Sequence, residues 1–267
     1  MGSIPDFTTV TGVDRKHLRQ LAMTWPTWRR HKSQTILRNP LVVFHERTQV
    51  RAEEVRSVCD HPHLTTVAWP PEGQSFYGDN SSKWESVDRH KMLAGFVYVP
   101  ASSVVATPYF LKLDTDAVAT GVEDWIDAAW FADDPAIVAP PWGFTRPADQ
   151  MLRLDAWAND LELFKGTQPL GLAPRPGEDR VCHPRIGSWC AFFNNEFNRL
   201  CAMAALESVG SYQLPVASQD GFLFYAATRL GRRVVRPRMK ARGWDVWSTE
   251  GNIARAVQRS MENHNGQ

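Results

Sequence analysis

The chain has 267 residues, of which 43% are apolar, 22% charged and 11% aromatic, a profile that excludes disordered and fibrous classes and supplies enough apolar surface for a sizeable core. Thirty Lys and Arg against 29 Asp and Glu leave a net charge of +1, so no global field draws the protein to nucleic acid, an anionic membrane or a cationic substrate. The opening MGSIPDFTTV lacks the basic and apolar regions of a signal peptide, no apolar run nears the ~20 residues of a membrane span, and the four cysteines read as reduced thiols; the expected location is the cytoplasm.

Phe7 to Val13 (FTTVTGV) is β-branched and apolar, which predicts a strand, and Asp14 then caps a segment whose Leu18, Leu21, Ala22 and Trp25 fall at helical spacing. Leu41 to Glu46 (LVVFHE) and Leu64 to Pro70 (LTTVAWP) predict two further strands, separated by a polar stretch with helical Val50, Val55 and Val58. Beyond a Gly/Asn/Ser loop near Gly78, Lys83 to Val99 has the spacing of a long helix, and Tyr109 to Leu113 (YFLKL) predicts the next strand. Strands alternating with helices imply right-handed crossovers and a mostly parallel open sheet flanked by helices, an α/β architecture whose ligands bind beyond the carboxyl ends of the strands.

The second half is less regular. Ala136 to Phe144 reads as a buried run, Gly166 to Gly187 as a long functional loop rich in Pro and Gly, and Ile186 to Phe193 as a strand followed by a helical stretch. Phe222 to Leu230 predicts a helix with Gly231 as its C-cap. The region Arg229 to Arg242 holds seven basic residues and no acid, a local surface for anions, for an acidic acceptor or, as a further partner such charge admits, for a nucleic-acid backbone.

The chemistry concentrates at Asp114-Thr115-Asp116. An apolar strand delivering two carboxylates, two residues apart, to its carboxyl end places hard oxygen ligands in the crevice, and the matching guest is Mn2+ or Mg2+ with a bound phosphate completing the shell. The bland alternative is that one Asp caps the following helix and the other is solvated.

This DxD, in this element order, resembles the GT-A-fold glycosyltransferases. The resemblance implies one GT-A-like domain over 1–267, with a Rossmann-like nucleotide-sugar-binding half over about 1–116 and an irregular acceptor-binding half over about 117–267. It implies a UDP- or GDP-sugar donor and transfer, by inversion, to a hydroxyl acceptor that the sequence does not name. Carried over residue by residue, Asp116 holds the metal and Asp114 binds metal, metal water or ribose; Thr11, Arg15 and Glu46 line the nucleoside and diphosphate site; and Arg89 and Lys91 meet the diphosphate. The family's acidic motif at a later helix start corresponds to Gln219-Asp220, with Asp220 as the base for the acceptor hydroxyl, although the same position suits a helix cap. Trp142 and Trp189 are the candidate sugar or acceptor platform, with Gly187 permitting close backbone approach to a sugar, and Arg232 and Arg233 the candidate contacts to an acidic acceptor.

Two rivals stay open on the sequence. Asp114 to Val118 also resembles the opening motif of haloacid-dehalogenase-like phosphohydrolases, with Asp114 as nucleophile, but that motif belongs near the start of its fold. A non-catalytic nucleotide- or sugar-binding module is the other, motivated by Gln219 where the family carries an acid.

Overall fold

In the computed structural model the described residues are 3–69, 98–121, 123–171, 180–207, 219–247 and 249–262. The first strand, β1 (Phe7–Val13), feeds α1 (Arg15–His31) and the short α2 (Ser33–Ile36); β2 (Leu41–Glu46), α3 (Ala52–Val58) and β3 (Leu64–Trp69) follow. Then come α4 (Tyr98–Val104), β4 (Tyr109–Leu113), β5 (Ala117–Ala119), β6 (Ile137–Val138), β7 (Pro141–Pro147), α5 (Ala148–Asn159), β8 (Arg180–Ile186) and β9 (Cys190–Asn194). The chain continues through α6 (Asn195–Glu207), α7 (Gln219–Arg229), β10 (Val234–Val235), β11 (Trp244–Val246) and α8 (Glu250–Glu262).

Seven strands form one sheet in the order β10-β6-β9-β4-β1-β2-β3. β1, β2, β3 and β4 are mutually parallel along their neighbours, whereas β9 is antiparallel to both β4 and β6, and β10 is parallel to β6. Among the described strands of this sheet, six therefore point one way and β9 alone runs back. The chain lays β1, β2 and β3 outward in one direction and returns to the other side of β1 for β4, so the topological switch lies between β1 and β4, where open α/β sheets bind ligands.

Strand alternation sorts the core onto two faces. Phe7, Val13, Leu41, Val43, Leu111 and Leu113 pack with Leu18, Leu21, Trp25 and Trp28 of α1 on one face. Val10, Val42, Phe44, Phe110 and Phe193 pack with α4, α5, α6 and α7 on the other. The α8 helix lies against α1 through Ile253, Ala256 and Met23. No helix among the described residues is long and apolar enough to cross a membrane.

Several sequence expectations change in detail. Asp14 does cap α1, its side chain accepting from His17 N at 2.8 Å, but the helix continues through Pro26 to His31. Burial of Trp28 and Thr27 beyond the proline outweighs the one lost backbone bond. The helix expected over Lys83 to Val99 lies outside the described residues except for its last two positions, and the described α4 extends on to Val104. The long loop expected from Gly166 to Gly187 is a strand in its last part: β8 pairs antiparallel with β7 from Pro141–Ile186 to Pro147–Arg180. Neither apolar run is a single strand. Ala136 to Phe144 is divided between β6 and β7, and Ile186 to Phe193 between β8 and β9, because both runs cross from the large sheet to the β7–β8 ribbon at adjacent points, where Gly187 N donates to Pro140 O at 2.7 Å. The α7 helix closes as expected at Gly231, φ +64°, with Arg232 N bonded to Ala227 O and Gly231 N to Thr228 O, the Schellman pattern.

Candidate active site

The acidic pair sits on a turn held from several sides. Asp114 N donates to Trp189 O at 2.8 Å and Ala117 N to Asp114 O at 3.0 Å. Thr115, the residue between the acids, is buried: its hydroxyl donates to Gln20 Oε1 at 2.9 Å, and its carbonyl accepts from Thr24 Oγ1 at 2.9 Å. Trp28 Nε1 donates to Ala117 O at 2.7 Å, and β11 closes over the next residues by pairing with β5, with Trp247 N bonded to Asp116 O at 3.3 Å. The turn is thereby pinned by one buried face of α1, and the two carboxylates stay at the carboxyl end of β4.

The two acids differ. Asp114 keeps 38% side-chain exposure and takes the ammonium of Lys112 on Oδ1. Asp116 is mostly buried; burial, then the neighbouring Asp114 charge, raises its carboxyl to about 6. Its Oδ1 is buried with no hydrogen-bond partner, and a buried polar oxygen lacking a donor is costly unless a cation or water completes it. Such an oxygen beside a second carboxylate fits a hard divalent cation. Among the described residues no cluster of three or more His, Cys, Asp or Glu stands ready as a metal site; what those residues offer a cation is the carboxylate pair.

On the other side of the switch point, directly after β1, Asp14 accepts from both His17 N and His17 Nδ1 at 2.8 Å. The imidazole is close enough to bias Asp116 towards its charged form. Sequence reasoning used Asp14 only as a helix cap and passed over His17 and Lys112. The signal available was positional: Asp14 ends β1 as Asp114 ends β4, and these two strands are neighbours.

The remaining sequence candidates fall in different places. Thr11 is on β1 opposite Val43, buried, with an unpartnered Oγ1. Glu46 ends β2 beside Trp69 of β3, is 2% exposed, and its Oε2 accepts from Thr48 N at 3.0 Å and Thr48 Oγ1 at 2.7 Å. Thr11 lies two residues before the end of β1, which borders the switch, and Glu46 ends β2, one strand further out. Arg15 follows Asp14 but is turned to α3, where it pairs with Glu54 and donates to Gln49 O; that pairing holds the Glu54 carboxyl down at about 2. Arg89 and Lys91 lie outside the described residues. Asp220 is in the first turn of α7 and Trp142 is on β7; the side chains of both lie outside the described set.

Three acceptor-side candidates have protein surroundings of their own. Trp189 is 7% exposed and belongs to the α1-side core. Its indole, with Pro140, fills the space beside Gly187, so the missing Cβ there admits Trp189, not a sugar. Arg232 and Arg233 precede β10 and pair with Asp134 at 3.8 Å and Asp133 at 3.5 Å, residues that precede β6. Since β6 and β10 point the same way as β4, this is the amino-terminal edge of the sheet, where Tyr109 at the start of β4 also bonds Asp134. The acidic pair is at the opposite edge, roughly 15 Å away along a five-residue strand. Nor is the basic stretch one surface: Arg229 is buried, with its guanidinium bonded to Asn159, Thr167 and Tyr225.

No family model matches the sequence, and no curated protein matches it. Solved structures do match. A galactosyltransferase, LgtC, in complex with donor and acceptor sugar analogues superposes with TM-score 0.51 at 14% identity over 88% of this chain and 74% of that one. Core-mannan synthase A from Aspergillus fumigatus, in an Mn/GDP form, gives TM-score 0.51 at 13% identity over 85% and 72%. The mannosyltransferase Ktr4p from S. cerevisiae in complex with GDP gives 0.51 at 9% identity over 84% and 66%. The likeness establishes the GT-A fold.

Proposed function

We propose that this protein is a metal-dependent glycosyltransferase that moves a sugar from a UDP- or GDP-sugar to a hydroxyl acceptor. The observation that carries the reading is the acidic pair at the β1/β4 switch point, with Asp116 Oδ1 buried and unpartnered beside Asp114. Asp114 and Asp116 would hold Mn2+ or Mg2+, and the bound ion would neutralise the charge that develops on the departing nucleoside diphosphate. The residues of this chain do the rest. Thr115, Gln20 and Thr24 fix the turn so that the carboxylates need no reordering on binding. Thr11 and Glu46 line the nucleoside side of the crevice, and Asp220 takes the proton of the acceptor hydroxyl, which makes the transfer inverting. The fold and the structural neighbours, a galactosyltransferase, a core-mannan synthase and a mannosyltransferase, support this reading; they give no support to a nucleic-acid partner.

The test is thermal unfolding of the purified protein with UDP, GDP, CDP and ADP, each with and without Mn2+, because a ligand that binds only the folded state raises its stability. The expected result is a metal-dependent rise with UDP or GDP, by several degrees at a hundredfold excess over Kd. No rise with any of the four refutes the donor class, and a rise without subsequent sugar transfer or donor hydrolysis identifies a binding module instead.

A further inference from the structure

The guanidinium of Arg229 closes α7 on a buried polar network. Its Nη1 donates to the Tyr225 hydroxyl at 2.8 Å, its Nη2 to Asn159 Oδ1 at 2.6 Å and its Nε to Thr167 Oγ1 at 2.8 Å, and the group lies 4.9 Å from the centre of the Phe164 ring. The Tyr225 hydroxyl in turn donates to Asp155. Asp155, Tyr225 and Arg229 are all more than nine-tenths buried. The last two turns of α7 are thus tied to α5 and to the segment that follows it by a carboxylate, a phenol and a guanidinium. Apolar side chains of like volume stabilise a core as well as a buried ionic network or better. What the network adds is register, because apolar contacts let a helix slide and turn, whereas a satisfied polar network admits one arrangement.

The helix held in this way begins at the crevice. Beyond Gly231 the chain doubles back, so that Phe224 in the middle of α7 meets Arg236 just past β10, the guanidinium 5.1 Å from the ring centre. The α7 helix therefore runs opposite to β10. Since β10 points the same way as β4, the first turn of α7, which carries Asp220, is directed to the edge of the sheet where Asp114 and Asp116 stand. Asp220 and Arg229 are about 13 Å apart along the helix. We propose that the Asp155, Tyr225 and Arg229 network is a positioning device for the reaction: it fixes the register of α7 and thereby the place of Asp220 at the crevice. What Asp220 does there rests on the glycosyltransferase reading; that the network holds the helix does not.

The experiment compares the intact parent with Y225F, D220N and the double variant, using UDP-galactose and GDP-mannose with Mn2+ and following release of the nucleoside diphosphate. Water is the acceptor, giving its proton to Asp220 as its oxygen bonds the anomeric carbon and the bond from that carbon to the diphosphate breaks. Y225F removes only the hydroxyl that joins Asp155 to Arg229. Its kcat should fall about tenfold, with the donor KM and Mn2+-dependent UDP or GDP binding within about twofold of the parent. In the D220N background Y225F should cost nothing more, because no base is left to position. A folded Y225F with the parent kcat, or losses that multiply in the double variant, overturns the proposal. T167V, which removes one acceptor of the guanidinium, carries the same comparison if Y225F does not fold. Amide exchange supplies an arm that needs no turnover. Residues 223–226, whose N–H groups pair back to the start of α7, should exchange at least about tenfold faster in Y225F, with β1 and β4 unchanged; parent-like exchange there also overturns the proposal. Should the parent release nucleotide from neither donor, the glycosyltransferase reading fails by itself, and the exchange arm still decides whether the network holds the start of α7.

Discussion

Replacing Asp116 with Asn tests whether this carboxylate is kept for a ligand rather than for the fold. Burial and the Asp114 charge raise its carboxyl from the ordinary 3.8 to about 6, so the ionised form is disfavoured in the folded state by about 3 kcal/mol at 1.36 kcal/mol per unit. Asn removes the charge with little change of shape, and after the cost of placing an amide near an unpartnered site the metal-free variant should be more stable than the parent by about 2 kcal/mol at pH 8. For a chain of this length that is roughly 4 °C in melting temperature. The pH dependence has a definite sign. Between the unfolded value near 3.8 and the folded value near 6 the native parent binds more protons than the unfolded chain, so parent stability falls as pH rises through that window. The advantage of the variant therefore grows from about pH 4 to about pH 6 and is flat above. With Mn2+ and the matching nucleotide the order reverses, because a ligand at a hundred times its Kd adds about 2.7 kcal/mol to the parent and nothing to a variant that has lost its metal. Calorimetric scans at pH 4, 6 and 8, with and without ligand, make the comparison. A D116N protein less stable than the parent at pH 8 without metal would show that the carboxylate holds the turn together, and the argument from its unpartnered oxygen would fall.

Other changes probe the surroundings. Lys32, fully buried over Trp244 with its ammonium donating to Arg242 O, is lowered by burial to about 8; the unfolded chain then binds more protons between about 8 and 10.5, so parent stability should rise with pH across that range. K32M should abolish the rise relative to the parent in urea unfolding at pH 7 and 10, and an unchanged difference between the two pH values would refute the assignment. Gly243 has φ +75°, and a Cβ there would overlap Thr120 O, so G243A should lower the unfolding free energy by about 2 kcal/mol or more; a neutral result would mean that the β5–β11 closure is not tight. D220N should reduce sugar transfer by at least about a hundredfold while leaving Mn2+-dependent nucleotide binding intact; transfer near the parent rate would remove Asp220 as the base.

The parallel half was legible because its physics is local. FTTVTGV, LVVFHE and YFLKL are short β-branched or apolar runs bounded by a cap or a turn, and β1, β2 and β4 occupy those residues. The crossing between sheets was not legible. Ala136 to Phe144 and Ile186 to Phe193 are continuous apolar runs, and only the pairing of β7 with β8 reveals that each is cut in two. At the site, Asp114 and Asp116 announced themselves by spacing, whereas Lys112 looked like one polar residue in a strand, and its ion pair appears only when the strand's alternation and the nearby Tyr98 ring are seen together. Arg232 and Arg233 were read as an anion surface because their partners, Asp133 and Asp134, are distant in sequence. A chain does not show which edge of a sheet a residue reaches until the strand direction is known.

The single reversed strand also shapes how the molecule must be made. Leu113 pairs with Cys190 and Tyr109 with Asn194, so β4 leaves the ribosome with one edge open and keeps it open until the far later β9 arrives. Closing so long a loop is entropically expensive and slow, and an open apolar edge in that interval is a template for pairing with another chain. Expression of residues 1–116 alone would retain that exposed edge permanently, so aggregation is the expected fate of the fragment, and chaperone demand during synthesis should end only when residues 190–194 have emerged.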